Sequence, residues 1–165
     1  SGTYGLALAA STAADVNIDF TARTTHYTSF QYKYTVVNSG TWAGEVYING
    51  AGASVTHCTF ASQGGGDFYV RNDGGASGAF HSLTINTSYY IKIKSVKVGV
   101  GTSTCDLWVS TDGTTWGSPV SSSTNGTWNA DTANIEIYHS AAKDHAFQVD
   151  CIKTKGTDIL DATCP

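Results

Sequence analysis

The chain has 165 residues, a formal net charge of −4 and only 13% charged residues, against roughly 25% in ordinary globular domains. No basic cluster is denser than the spaced Lys92, Lys94 and Lys97, so no nucleic-acid partner is expected. No apolar run approaches the ~18 residues of a spanning helix, and one domain over residues 1–165 is the reading of the length.

Alternation of apolar and polar residues predicts strands from the start of the chain to its end. The first expected strand, 4–9, lies in the apolar segment SGTYGLALAAST. The next are 16–22, 30–38, 42–48, 54–60 and 67–72. Asn38-Ser-Gly40, Asn49-Gly50 and Gln63-Gly-Gly-Gly66 separate several of them. Asn-Gly and Asp-Gly centres favour hairpins because both central residues take positive φ. Strands at 78–84, 89–98 and 104–110 follow, then a turn at Asp112-Gly113. Ser118 to Asp131 reads as a polar loop, and 133–139 and 146–154 are the last strands. No amphipathic helix is expected. Along 89–98 the apolar phase slips after Ile93, from Tyr89, Ile91 and Ile93 to Val96 and Val98, which predicts a bulge near Ser95. So many short antiparallel strands bury a core best as two packed sheets. The fold class expected is therefore all-β, a two-sheet antiparallel jelly-roll β-sandwich. Its core phases are Phe30, Tyr32, Tyr34 and Val36; Cys105, Leu107 and Val109; Ala133, Ile135 and Ile137; and Phe147, Val149 and Cys151.

The opposite phases carry different chemistry. Glu45 and Tyr47, Asp67, Tyr69 and Arg71, Asp106 and Trp108, and Asn134, Glu136 and Tyr138 point away from the core. If these strands share one sheet, rings and planar polar groups line one face. Rings stack on the C–H faces of sugars and polar groups take the hydroxyls. Trp108, Tyr47, Tyr69, Tyr138, Glu45, Asp106, Asn134 and Glu136 are the candidate glycan-binding residues. Glu45 and Glu136 are the only two glutamates, and paired carboxylates are what glycoside hydrolysis needs. His26, His57, His81, His139 and His145 are scattered without a zinc spacing, and each reads as a surface or loop residue.

Four cysteines without a CxxC spacing fit two disulfides in an oxidising compartment. Three pairings are possible. The favoured one is Cys151–Cys164, stapling the tail, with Cys58–Cys105 joining strands. A start at Ser1 with no methionine fits a removed signal peptide, so a secreted, extracellular protein is expected.

The succession YYIKIKSVKV, CDLWVSTDGTTW, NIEIYHS and HAFQVDCIK, over roughly residues 86–155, resembles the second half of concanavalin A-like jelly rolls, the laminin G-like and lectin/glucanase group. The resemblance implies that Asp150, in QVDCIK, sits where similar jelly rolls often bind structural calcium, with Asp19 able to join it if the terminal strands pair. The glucanase triplet of carboxylates along one strand is absent. The leading expectation is a non-catalytic carbohydrate-binding module or lectin-like protein whose partner is a polysaccharide or glycan. The alternative is a structural subunit of an extracellular filament, fibre or coat, assembled from copies of itself by strand addition. A small glycoside hydrolase using Glu45 and Glu136 is a third expectation.

Overall fold

The computed structural model describes residues 6–8, 14–36, 42–50, 56–73, 77–140 and 145–163. The strands are β1 (Leu6–Leu8), β2 (Ala14–Arg23), β3 (Thr25–Val36), β4 (Ala43–Gly50), β5 (Thr56–Gln63), β6 (Asp67–Asn72), β7 (His81–Ser82), β8 (Tyr89–Val96), β9 (Ser103–Ser110), β10 (Ser121–Gly126), β11 (Thr132–His139) and β12 (Ala146–Lys155). No helix forms among the described residues. The first sheet runs β1-β12-β3-β8-β9-β10 and the second β2-β11-β4-β5-β6-β7. Every pairing is antiparallel. The two sheets pack face to face as the expected jelly-roll sandwich.

The core follows the alternation. Phe30, Tyr32 and Tyr34 from β3, Ile91 and Ile93 from β8, and Leu107 from β9 meet Val46, Ile48, Phe60, Phe68, Ile135 and Ile137 from the second sheet. Val36, expected on the same side, is instead 43% exposed at the strand end. The Cys58–Cys105 disulfide crosses this core from β5 to β9. Cys151 is also disulfide-bonded, while Cys164 lies outside the described residues. A disulfide at the centre of the sandwich fits an oxidising compartment.

Three expectations are corrected. Ser118–Asp131 is not all loop, because β10 pairs with β9 through Ser121↔Leu107 and Ser123↔Cys105. Ser121 and Ser123 are buried and Ser122 is exposed. The alternation was present, but small hydroxyl side chains carried it. The bulge near Ser95 is also absent, since β8 keeps its register with β3 and β9 through Val96. Ser95 holds the core phase and shares a 3.0 Å hydrogen bond with the Thr132 hydroxyl. Finally, 78–84 forms only the two-residue β7.

The Asp112-Gly113 turn does not return directly into a strand. The Asp112 carboxylate accepts from the Thr115 and Thr114 N–H groups, the Thr115 hydroxyl and the Ser110 hydroxyl, which hold its pKa well below the usual carboxylate range. The loop is thus closed on itself, and Gly113 at φ +75° packs under the Tyr90 ring.

Four of the five histidines are buried rather than superficial: His26, His57, His139 and His145. His26 and His139 stand in phase with core residues of their own strands, and His145, just before β12, with Phe147 and Val149. His26 stacks on Phe20 at 4.1 Å and hydrogen-bonds the Thr28 hydroxyl at 2.8 Å. His57 stacks on Trp128 at 5.0 Å. Burial, reinforced for His26 by Arg23, lowers the imidazoles to about 3 for His26 and about 4 for His57. Both fold neutral and unfold into an ordinary range near 6.5. Their stabilisation is therefore complete above about pH 6.5 and is lost as pH falls toward those folded values. Melting temperature should drop steeply between about pH 6.5 and 4. His57→Gln should flatten that fall in a calorimetric series.

Candidate functional site

The second sheet carries a chemically mixed outer face, built by the phase opposite Ile135, Ile48 and Phe60, with Tyr47, Arg71, Glu136 and Tyr138 half-buried on it. Cross-strand register aligns Asn17, Glu136, Tyr47, Thr59 and Arg71 in one row across β2, β11, β4, β5 and β6. Directly opposed side chains on one face lie close enough to act together. The neighbouring row holds Asp19, Asn134 and Asn49.

A hydrogen-bonded ladder ties the two rows. The Asn49 amide donates to Asn134 Oδ1 at 3.2 Å and to Glu136 Oε2 at 3.1 Å. The Asn134 amide donates in turn to Asp19 Oδ1 at 2.8 Å. These contacts fix Glu136 beside Tyr47. The Tyr47 and Tyr138 rings meet edge to face at 6.0 Å. Partial burial, with the Glu136 carboxylate next in weight, raises the Tyr47 phenol to about 12. It is therefore a neutral O–H donor at physiological pH. At the other end of the row, the Arg71 guanidinium lies 5.0 Å over the Trp42 ring, a stacking that orients its fork of donors. Tyr69 is buried beneath the 54%-exposed Phe80, with the rings 4.8 Å apart.

Of the eight candidate glycan residues, five gather on this face: Tyr47, Tyr69, Tyr138, Asn134 and Glu136. Three do not. Trp108 and Asp106 belong to β9 of the first sheet. Glu45 is fully buried inside the sandwich, where it accepts from the Tyr32 hydroxyl. Glu45 and Glu136 thus face opposite sides of the second sheet and cannot flank one glycosidic bond, which removes the basis for a paired-carboxylate hydrolase. Arg71, Asn49 and Trp42 complete the face. Arg71 followed from the same alternation, whereas Asn49 was read as a turn residue.

Trp108 has a different role. It pairs across the sheet with Lys92, whose ammonium lies 4.9 Å from the Trp108 ring and 4.6 Å from the Trp116 ring. Lys92 also bonds Asp158 at 2.8 Å. The segment after β12 folds back here: Ile159 and Ala162 are buried, and Trp116 Nε1 donates to the Leu160 carbonyl at 3.1 Å. The tryptophan on the polar phase is packing between sheet and tail. Trp108→Ala should cost about 2 kcal/mol of stability by urea unfolding and hasten proteolysis within 156–163, without touching the second sheet's outer face.

The carboxylates expected to share calcium are apart. Asp19 lies on the outer face of the second sheet, whereas Asp150 lies on β12 of the first, accepting from the Cys151 N–H. β12 pairs with β1 and β3, and β2 with β11, so these two residues do not form one ion site. No group of three or more His, Cys, Asp or Glu side chains is placed to hold a metal among the described residues.

No protein-family model matches the chain, and no curated protein matches it in sequence. Among solved structures, cellulose induced protein Cip1 superposes with a TM-score of 0.59 at 10% identity, over 94% of this chain and 87% of that one. The endo-β-1,4-glucuronan lyase of Trichoderma reesei gives 0.56 at 8% identity, over 94% and 80%. A variant of alginate lyase Aly36B in complex with alginate tetrasaccharide gives 0.52 at 11%, over 93% and 80%. A Trypanosoma rangeli sialidase matches over only 21% of its own length. The chain has the concanavalin A-like jelly-roll fold that its second half resembles. Two of these four solved structures are lyases and a third is a sialidase, which corrects the expectation of a non-catalytic binding module or lectin-like protein. The filament alternative finds no counterpart among them.

Proposed function

We propose that this chain is a carbohydrate-active enzyme that cleaves a uronic-acid polysaccharide by elimination on the outer face of the second sheet. The observation that carries the reading is the single row Glu136–Tyr47–Thr59–Arg71. It sets a carboxylate beside a neutral phenol, with a guanidinium beyond Thr59 in the same row, all three half-buried on the outer face. The alginate lyase and glucuronan lyase that share the fold support it, and so does a disulfide suited to an extracellular setting.

The chemistry follows from the groups. A uronate carboxylate makes its α-proton, on C5, removable once its charge is neutralised. Arg71 supplies bidentate, charge-assisted donors for that carboxylate. Glu136, held by Asn49, takes the C5 proton as general base. The electron pair forms the C4–C5 double bond as the C4–O4 bond breaks, and the Tyr47 phenol protonates the departing O4. Glu136 then carries one proton more and Tyr47 one fewer, and exchange with water restores both. Tyr138 and Trp42 offer ring faces for neighbouring sugars.

The test is ultraviolet absorbance of the new double bond on alginate, polyglucuronate and a neutral glucan. Uronans should yield unsaturated ends and the neutral glucan none. Arg71→Gln should cut kcat/KM by about 10²-fold, the loss of a charge-assisted pair in the transition state. Saturated products, or no cleavage of any uronan, would overturn the reading.

A further inference from the structure

Glu45 is out of phase. Strict alternation along β4 puts it on the outer face with Tyr47, yet the pairing with β5 jumps from Gly44↔Ala61 to Val46↔Phe60. Glu45 is the extra residue of a bulge, and the bulge turns its side chain into the sandwich.

The interior receives it with groups from both sheets. The Tyr32 hydroxyl of β3 donates to Oε2, and the buried Ser62 hydroxyl of β5 is a second polar group that favours the carboxylate. His145, just before β12, brings Nε2 to within 3.5 Å of Oε1, with both side chains almost completely buried. His139 at the end of β11 holds His145 in turn: its Nε2 lies 2.8 Å from the His145 carbonyl oxygen, and the two rings are 4.6 Å apart. Phe147 stacks on His145 at 5.6 Å and meets His139 at 5.7 Å, so the three rings form one cluster. Tyr34 and Tyr47 are the remaining titratable groups that sense Glu45 among the described residues.

We propose that Glu45 and His145 share one proton and form a latch between the two sheets, which holds the β4 bulge and so positions Tyr47 on the outer face. With one proton the pair is compensated in either arrangement, as carboxylate with imidazolium or as acid with neutral imidazole. Removing it leaves a buried carboxylate beside a neutral ring. Adding a second leaves a buried imidazolium beside a neutral acid. Either state loosens the anchor, and a bulge that slips by one residue reverses the side chains beyond it. Glu45 and His145 are positioning residues, since neither reaches the outer face.

Burial raises the Glu45 carboxyl to about 7, against the pull of the Ser62 and Tyr32 hydroxyls. The unfolded carboxyl titrates near 4.5, so this group's favourable contribution is present below about pH 4.5 and is lost as pH rises through 7. The experiment compares melting temperatures of the parent and Glu45→Gln from about pH 5 to 9, where the difference cancels the buried histidines common to both. The parent should lose ground to Glu45→Gln progressively, by roughly 5–10 °C for a chain of this size. A difference independent of pH would overturn the latch. Tyr32→Phe removes one donor to the carboxylate and should move the midpoint of the parent's loss to higher pH. If Glu45→Gln does not fold, that shift decides, and its absence also overturns the proposal. The second arm rests on the elimination reading: the alkaline limb of kcat on a polyuronate should move in Glu45→Gln. A pH-dependent melting difference without any cleavage keeps the latch and removes the elimination reading. Cleavage with a flat melting difference does the reverse.

Discussion

Tyr47→Phe is expected to lower kcat on a polyuronate by about 10²–10³-fold, the usual contribution of one positioned proton-transfer group. KM should hardly change, because the oxygen acts on the leaving group rather than on the ground-state complex. The fold should be indifferent to the change. The ring keeps its edge-on contact with Tyr138 at 6.0 Å, and no hydrogen bond that the fold depends on is lost. Tyr138→Phe serves as the contrast. It stands beyond Glu136 on the same strand, outside the row that reaches Arg71, and should reduce turnover far less. The pH dependence separates the two roles Tyr47 could have. A phenol raised to about 12 is a donor throughout the neutral range, so activity should not rise with a phenol ionisation below that value. Steady-state kinetics of parent, Tyr47→Phe and Tyr138→Phe across pH, with unfolding midpoints alongside, would check all of this. Equal kcat in parent and Tyr47→Phe would take the proton donor away from this row.

How much of this was legible in the sequence depended on which residues carried the period. Where large apolar side chains alternated, as in Phe30, Tyr32 and Tyr34 or Ile135 and Ile137, face and burial could be read directly. Where serine took the core phase, the pattern became invisible, and β10 and the Ser95 position were both misread for that reason. Small hydroxyls bury easily once a neighbour such as Thr132 satisfies them. The outer-face residues Tyr47, Tyr69, Asn134, Glu136 and Tyr138 followed from local alternation as well. Local alternation does not say which sheet a strand joins. That is why Trp108 and Asp106 were grouped with residues that turn out to lie on the opposite side of the molecule. Glu45 failed differently. A bulge is one extra residue whose presence depends on its partner strand and on the groups waiting inside, Tyr32, Ser62 and His145, which are distant in sequence. His26, His139 and His145 kept the phase of the core residues near them, and only the habit of reading histidine as superficial hid them; His57, next to Cys58, is buried out of that phase.

The largest stability effect is expected at the Cys58–Cys105 bond. Both cysteines are completely buried, and the bond joins β5 of the second sheet to β9 of the first. It closes a loop with a sequence separation of 47. Chain-closure entropy for a loop of that length gives about 4 kcal/mol. The sandwich has other ties between its sheets, including Tyr32 with Glu45 and Ser95 with Thr132, but these are hydrogen bonds that compete with water once the chain opens. Unlike them, the covalent tie persists in the unfolded chain and restricts it. Replacing both residues with alanine also removes two sulfur atoms from a packed core that includes Phe60 and Leu107, which adds a cavity cost in the same direction. The Cys58→Ala/Cys105→Ala variant should therefore lose about 4–5 kcal/mol in denaturant unfolding, and its melting temperature should fall by roughly 10–15 °C. The slope of the denaturant transition should steepen as well, because an unfolded chain without the cross-link exposes more surface. A loss below about 1 kcal/mol with an unchanged slope would mean that the reduced, unfolded chain keeps these two strands together without the bond, so that the apolar contacts around Phe60 and Leu107 set the sheet-to-sheet register by themselves.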